Sequence, residues 1–156
     1  MRHQPLFLSG IPVLVVEDDV LQALDLSASL AEAGALPVGP AATVGDALQF
    51  MNAVECRAVV LDLRLRGEDG TWLAWELYRR RVPFVVHTGY METRFLPAHW
   101  PGCQVMFKPA SMDKLTKTLA YLIRWKRMAA RGRTDRPPVP APAADSLQLV
   151  RAARVN

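Results

Sequence analysis

Glu17, Asp18, Asp62, Thr88 and Lys108 each stand at or just past the end of a short apolar run: "IPVLVV", "AVVL", "PFVV" and "QVMF". Asp is a poor strand former, and an unpaired buried carboxylate is costly, so Asp62 at the tip of "VVLDLRLRGEDG" calls for a chemical reason. Two carboxylates 4 Å apart repel by roughly 4 kcal/mol at an effective dielectric near 20. A cluster of Glu17, Asp18 and Asp62 therefore calls for a cation, and oxygen-only donors with room for water suit Mg²⁺. Lys108 and Thr88 are then surplus to metal binding. An ammonium and a hydroxyl beside such a carboxylate match the needs of a phosphoryl group's oxygens.

The elements that must hold these residues can be read from the pattern of apolar positions. The four runs are continuous rather than alternating, as in parallel strands covered on both faces. A weaker run, "ALPVG" (35–39), suits an edge strand, where Pro37 is tolerated. Between the runs lie helical patterns. Val20 to Ala33 places Val20, Leu21, Leu24, Ala28 and Ala31 on one stripe and stops at Gly34. Thr43 and Asp46 resemble a capping box for a helix through about Ala53. A third helix starts near Thr71 and is expected to bury Trp72, Leu73, Trp75 and Leu77. Pro97 and Pro101 limit any helix in 91–100. Ser111 caps a helix with the stripe Leu115, Leu119, Leu122 and Ile123.

Strand then helix, five times over, predicts a doubly wound five-stranded parallel α/β sheet of order 2-1-3-4-5, with helices on both faces. In such sheets ligands bind beyond the carboxyl ends of the strands, where the polar residues above converge.

Composition narrows the class. The chain has 156 residues, 51% of them hydrophobic, enough for one domain with a sizeable core. No apolar run approaches the roughly 20 residues that span a bilayer, and no signal peptide is recognised. Two cysteines, Cys56 and Cys103, form no disulfide framework and read as packed thiols, which points to the cytoplasm. Residues 1–123 carry 11 Lys/Arg against 13 Asp/Glu, whereas residues 124–156 carry 8 against 2. The basicity thus belongs to the end of the chain. We divide it into a domain over 1–128 and a basic Pro/Ala-rich tail over 129–156, in which 146–155 has the pattern of a short amphipathic helix.

"VLVVEDD", "VVLDLRLRGEDG", "HTG" and "FKP", in this order, resemble the receiver domain of bacterial two-component response regulators (CheY-like) over about residues 11–126. The resemblance implies a stand-alone signalling domain rather than an enzyme. Asp62 would accept a phosphoryl group from a sensor histidine kinase or a histidine phosphotransfer protein. Asp18 and Asp62 would ligate Mg²⁺, Glu17 mainly through water, and the backbone carbonyl of Arg64 would complete the protein's share. Thr88 and Lys108 would contact the phosphoryl oxygens. Lys108–Pro109 matches a pair whose peptide bond is usually cis in that family. The family's usual docking face for a downstream partner, and for a homodimer, would be its fourth helix, fifth strand and fifth helix, here about residues 91–126.

The sequence also departs from that pattern. Arg66 stands where receivers often carry Pro, and Val105 replaces the aromatic switch residue. "VHTGY" resembles the receiver subgroup called FATGUY, in which the loop aromatic, here Tyr90, would take over switching. Arg64 and Tyr90 occupy positions that tune access of water to the acyl phosphate.

Other readings remain. A degenerate receiver would bind partners without being phosphorylated. A haloacid dehalogenase-like phosphatase would need an Asp where Arg64 stands. The basic C-terminal stretch, spanning the end of the domain and the start of the tail, carries Arg124, Lys126, Arg127, Arg131, Arg133 and Arg136, but lacks interleaved aromatics beyond Trp125, which weighs against a nucleic-acid partner. Asp19 reads as a helix cap and His87 as a satisfied structural histidine. His3 and His99 show no metal-ligand spacing.

Overall fold

The computed structural model describes residues 7–89, 93–97 and 99–132. Five strands form one parallel sheet: β1 (Pro12–Val16), β2 (Leu36–Ala41), β3 (Ala58–Leu61), β6 (Phe84–Thr88) and β7 (Cys103–Phe107). Their order is β2-β1-β3-β6-β7. With two small hairpin strands, β4 (Arg64–Leu65) and β5 (Glu68–Asp69), set aside, this is the expected 2-1-3-4-5 order. Helices α1 (Val20–Glu32) and α4 (Met112–Ala130) cover one face, and α2 (Val44–Ala53) and α3 (Thr71–Arg79) the other.

The strands build both cores because successive side chains point to opposite faces. Val13, Val15, Val60 and Val85 pack with Ala23, Leu26 and Leu30 of α1 and Leu115, Leu119 and Leu122 of α4. Leu14, Val16, Val59, Leu61, Phe84 and Val86 pack with Ala47 of α2 and Leu73, Ala74 and Leu77 of α3. Ahead of β1, Leu8 is fully buried in the first of these clusters.

Two helix caps follow the sequence reading. Thr43 Oγ1 accepts from the Asp46 N–H at 3.0 Å, and Ser111 Oγ from the Lys114 N–H at 3.4 Å. The α4 stripe is buried as expected. β2 is an edge strand, extended to Ala41.

Three expectations are corrected. The α1 stripe faces solvent: Val20, Leu21 and Leu24 are 65%, 74% and 57% exposed, and Ala23, Leu26 and Leu30 are buried instead. Both sets have helical spacing, and rotation of the helix about its axis chooses between them. That rotation is set where the chain leaves β1, with Asp19 Oδ1 accepting the N–H groups of Leu21 and Gln22 at 3.0 Å each. In α3, Leu73, Ala74 and Leu77 are buried while Trp72 and Trp75 are only half-buried, Trp75 donating its indole N–H to the Phe95 carbonyl at 2.7 Å.

No helix stands between β6 and β7 among the described residues, so the strand–helix unit is not repeated a fifth time there; Thr93–Pro97 and His99–Gly102 form turns and irregular backbone. Pro97 and Pro101 remove N–H donors from this connection. The segment after Asp62, to which the sequence pattern assigns no element, forms the β4–β5 hairpin over Arg64–Asp69. Its two central residues, Arg66 (φ 47°) and Gly67 (φ 81°), are both left-handed, as a two-residue type I′ turn requires.

Candidate functional site: an acidic cleft at the strand ends

Four strands deliver the site residues to the carboxyl edge of the sheet: β1 leads to Glu17 and Asp18, β3 to Asp62, β6 ends on Thr88, and β7 leads to Lys108. The β1–β3–β6–β7 register aligns Val16 with Leu61, Leu61 with Val86, and Thr88 with Phe107. One step beyond these rungs come Glu17, Asp62 and Lys108. The backbone continues the ladder, the Asp62 N–H donating to the Val16 carbonyl and the Lys108 N–H to the Thr88 carbonyl, both at 2.9 Å.

Glu17, Asp18 and Asp62 each present a carboxylate oxygen within 4.8 Å of the other two, a grouping that can hold a metal ion. Glu17 and Asp62 are buried and Asp18 is half-buried. Lys108 Nζ donates to Glu17 Oε2 and to Asp62 Oδ2, both at 2.7 Å. Thr88, fully buried, donates its hydroxyl to Asp62 Oδ1 at 2.8 Å. The Arg64 N–H also donates to Asp62 Oδ1, at 3.1 Å. Asp62 is thus held on both oxygens by residues from three separate stretches of chain.

The β4–β5 hairpin closes one side. Asp18 Oδ2 accepts the Arg66 N–H at 2.9 Å, and Glu68 Oε2 accepts the Val44 N–H at the start of α2, also at 2.9 Å. Gly70 ends the excursion: its N–H donates to the Leu63 carbonyl at 2.7 Å, and a Cβ there would lie 2.8 Å from the Asp62 carbonyl oxygen. Between hairpin, β1 and α1 lies an open cleft of about 670 Å³, lined by Glu17, Asp18, Asp19, Asp62 and the hairpin.

Electrostatics follow from burial and pairing. Burial raises the Glu17 carboxyl above its ordinary value, against the opposing hydrogen bonds from Lys108 and the Asp19 N–H. Burial alone would lower the Lys108 ammonium, but its hydrogen bonds to Asp62 and Glu17 outweigh this and hold it above its ordinary value. Asp19 is lowered, first by the backbone hydrogen bond from Gln22, in keeping with a capping role. His87 does not behave as a satisfied histidine: it is buried, and neither ring nitrogen has a hydrogen-bond partner among the described residues. Burial, then the nearby Lys108, lowers its pKa.

Of the remaining sequence candidates, Arg64 lies on β4 with an exposed side chain. Val105 is half-buried in β7, paired with Val86. Lys108–Pro109 is cis. Tyr90 and the tail beyond Gly132 lie outside the described residues. The hairpin contact to Asp18 was missed by sequence reading, because Glu68 and Asp69 are poor strand formers and only Gly67 hints at a turn.

No family model matches the sequence, and no curated protein matches it. Solved structures do. A response regulator receiver protein from Sinorhizobium medicae is 21% identical, with 74% of this chain and 95% of that one covered and a TM-score of 0.64. The response regulator PhyR from Brucella abortus is 22% identical at a TM-score of 0.68, covering 83% of this chain but 56% of PhyR, so the chain spans little more than half of it. SdrG from Sphingomonas melonis is 35% identical, with 75% of this chain and 98% of SdrG covered and a TM-score of 0.60.

The sheet order, the helix layers and these neighbours define the fold as the receiver fold of response regulators. With 35% identity across nearly the whole of SdrG, the chain belongs to the SdrG family. No helix among the described residues is long and apolar enough to cross a membrane.

Proposed function

We propose that the chain is a stand-alone, phosphorylation-controlled binding module in which Asp62 accepts a phosphoryl group from a phosphohistidine on a sensor histidine kinase or phosphotransfer protein. One observation carries this reading: Lys108 and Thr88 grip opposite oxygens of Asp62 within reach of two further carboxylates. A purely structural Asp at a strand end needs only backbone N–H groups.

In the step itself, a carboxylate oxygen of Asp62 bonds to phosphorus as the phosphorus–nitrogen bond of the donor breaks, and the imidazole leaves with that electron pair. Lys108 and Thr88, released from the carboxylate, turn to the phosphoryl oxygens, the ammonium offsetting their charge and the hydroxyl donating a hydrogen bond. The donor set of Glu17, Asp18, Asp62 and the Arg64 carbonyl is all oxygen, which fits Mg²⁺. The ion would neutralise the crowded acids and the incoming phosphoryl group.

"VHTGY" supports assignment to the FATGUY subgroup, with Tyr90 as the switching aromatic because Val105 has no ring to move. Arg64 and Tyr90 would set the lifetime of the acyl phosphate. A downstream protein would dock on β7 and α4, within residues 91–126, where Phe107 and Tyr121 are exposed; a homodimer would use the same face. The site would operate in the cytoplasm.

A second reading, an adapter that binds partners without phosphorylation, draws on the PhyR structure from Bartonella quintana, described as an anti-anti-sigma factor. Intact mass after incubation with a small phosphodonor and Mg²⁺ separates the two. One added phosphoryl group, absent from Asp62→Asn and from samples with EDTA, is expected. No adduct from any donor would leave the adapter.

A further inference from the structure

Helix α1 carries two apolar stripes, and only one is used by the core. Ala23, Leu26 and Leu30 face the sheet, while Val20, Leu21, Leu24, Ala28 and Ala31 run the length of the helix in solvent. Isolated exposed apolar residues are ordinary, but a continuous stripe at helical spacing marks a surface that is covered by something. The helix is also strongly one-signed. Asp18, Asp19, Asp25 and Glu32 lie on or beside it, and no Lys or Arg occurs anywhere from residue 3 to 56. The occupant must therefore be apolar and basic.

The chain holds such a segment. Residues 146–156, "SLQLVRAARVN", have no acid and two arginines. Wound as a helix, Leu149, Val150, Ala152 and Ala153 share one face, while Arg151 and Arg154 lie on the other side together with Leu147 and Val155. A helix this short is marginal alone and needs a surface to form on. Reach is ample. Helix α4, which leads into the tail, packs beside α1. The connecting residues 131–145 can extend to about 50 Å, against the roughly 20 Å length of α1.

We propose that residues 146–155 dock, within the same chain, as an amphipathic helix on the exposed stripe of α1, with Arg151 and Arg154 facing its acids.

The test reads the contact alone, in the uniformly ¹⁵N-labelled full chain without any phosphodonor. Leu149→Glu with Val150→Glu is expected to shift amide resonances concentrated in 20–32. Leu21→Glu with Leu24→Glu, at exposed positions that leave the core intact, should move the 146–156 amides to where the tail variant has them. Both effects should be independent of protein concentration, and raising salt should weaken the contact in the parent chain. Shifts confined to the tail, or falling on another face, would overturn the proposal. So would changes that grow with concentration, which would make a second copy the occupant.

Discussion

Lys108 Nζ lies 2.7 Å from Asp62 Oδ2 across 46 residues of sequence, and the same nitrogen lies 2.7 Å from Glu17 Oε2, 91 residues away. One ammonium therefore holds two carboxylates that would otherwise repel. With EDTA present, Lys108→Met should lose about 2–3 kcal/mol in urea unfolding, since it leaves buried carboxylates unpaired. Adding Glu17→Gln should recover part of the loss, with a coupling of about 1 kcal/mol. Strictly additive losses would mean that the bridge contributes little.

The acid cluster predicts stabilisation by metal. If Mg²⁺ binds the folded chain alone, a concentration one hundred times Kd adds about 2.7 kcal/mol, visible as a rise in Tm. Asp18→Asn should abolish most of that rise while leaving the metal-free Tm nearly unchanged. An equal rise in both proteins would place the ion elsewhere.

His87 is a buried imidazole with neither nitrogen hydrogen-bonded among the described residues. Its pKa is lowered on folding, so the unfolded chain binds the proton more readily. The sign follows: stability is full above the unfolded value near 6.5 and falls as pH drops below it. His87→Leu should flatten stability between pH 7 and 5. Removing the unpaired polar group should also stabilise the protein at pH 7 by about 1 kcal/mol. A variant with the parent's pH slope would show that His87 is not the titrating group.

Gly70 is required by proximity rather than by its backbone angles. A Cβ there would meet the Asp62 carbonyl oxygen at 2.8 Å and the Leu63 Cα at 3.0 Å. Gly70→Ala must push the backbone that carries Asp62, which should cost about 1–3 kcal/mol. The same displacement should slow phosphoryl uptake measured by intact mass. An alanine variant with parental stability and uptake would show that the loop yields freely.

How much of this was legible in the sequence differs by element. Continuous apolar runs named β1, β3 and β6, because a strand covered on both faces has no polar side, and a fourth run named β7 although it lies at the sheet's edge. Polar residues ending those runs named the edge where Glu17, Asp18, Asp62, Thr88 and Lys108 meet. Thr43 and Ser111 named their helix starts, because capping is a contact between neighbours in sequence.

What escaped depended on contacts between distant residues. Helix α1 has two stripes of equal local quality, and only its departure from β1 decides that Ala23, Leu26 and Leu30 turn inward. The hairpin after Asp62 is anchored on Asp18 and on the start of α2, neither of which is near it in sequence. His87 lies on an apolar strand whose pattern says that it is buried but not whether a partner stands within reach. Spacing along the chain determined which residues reach the edge of the sheet; rotation and long-range hydrogen bonds, which exist only once the layers pack, decided what each one touches.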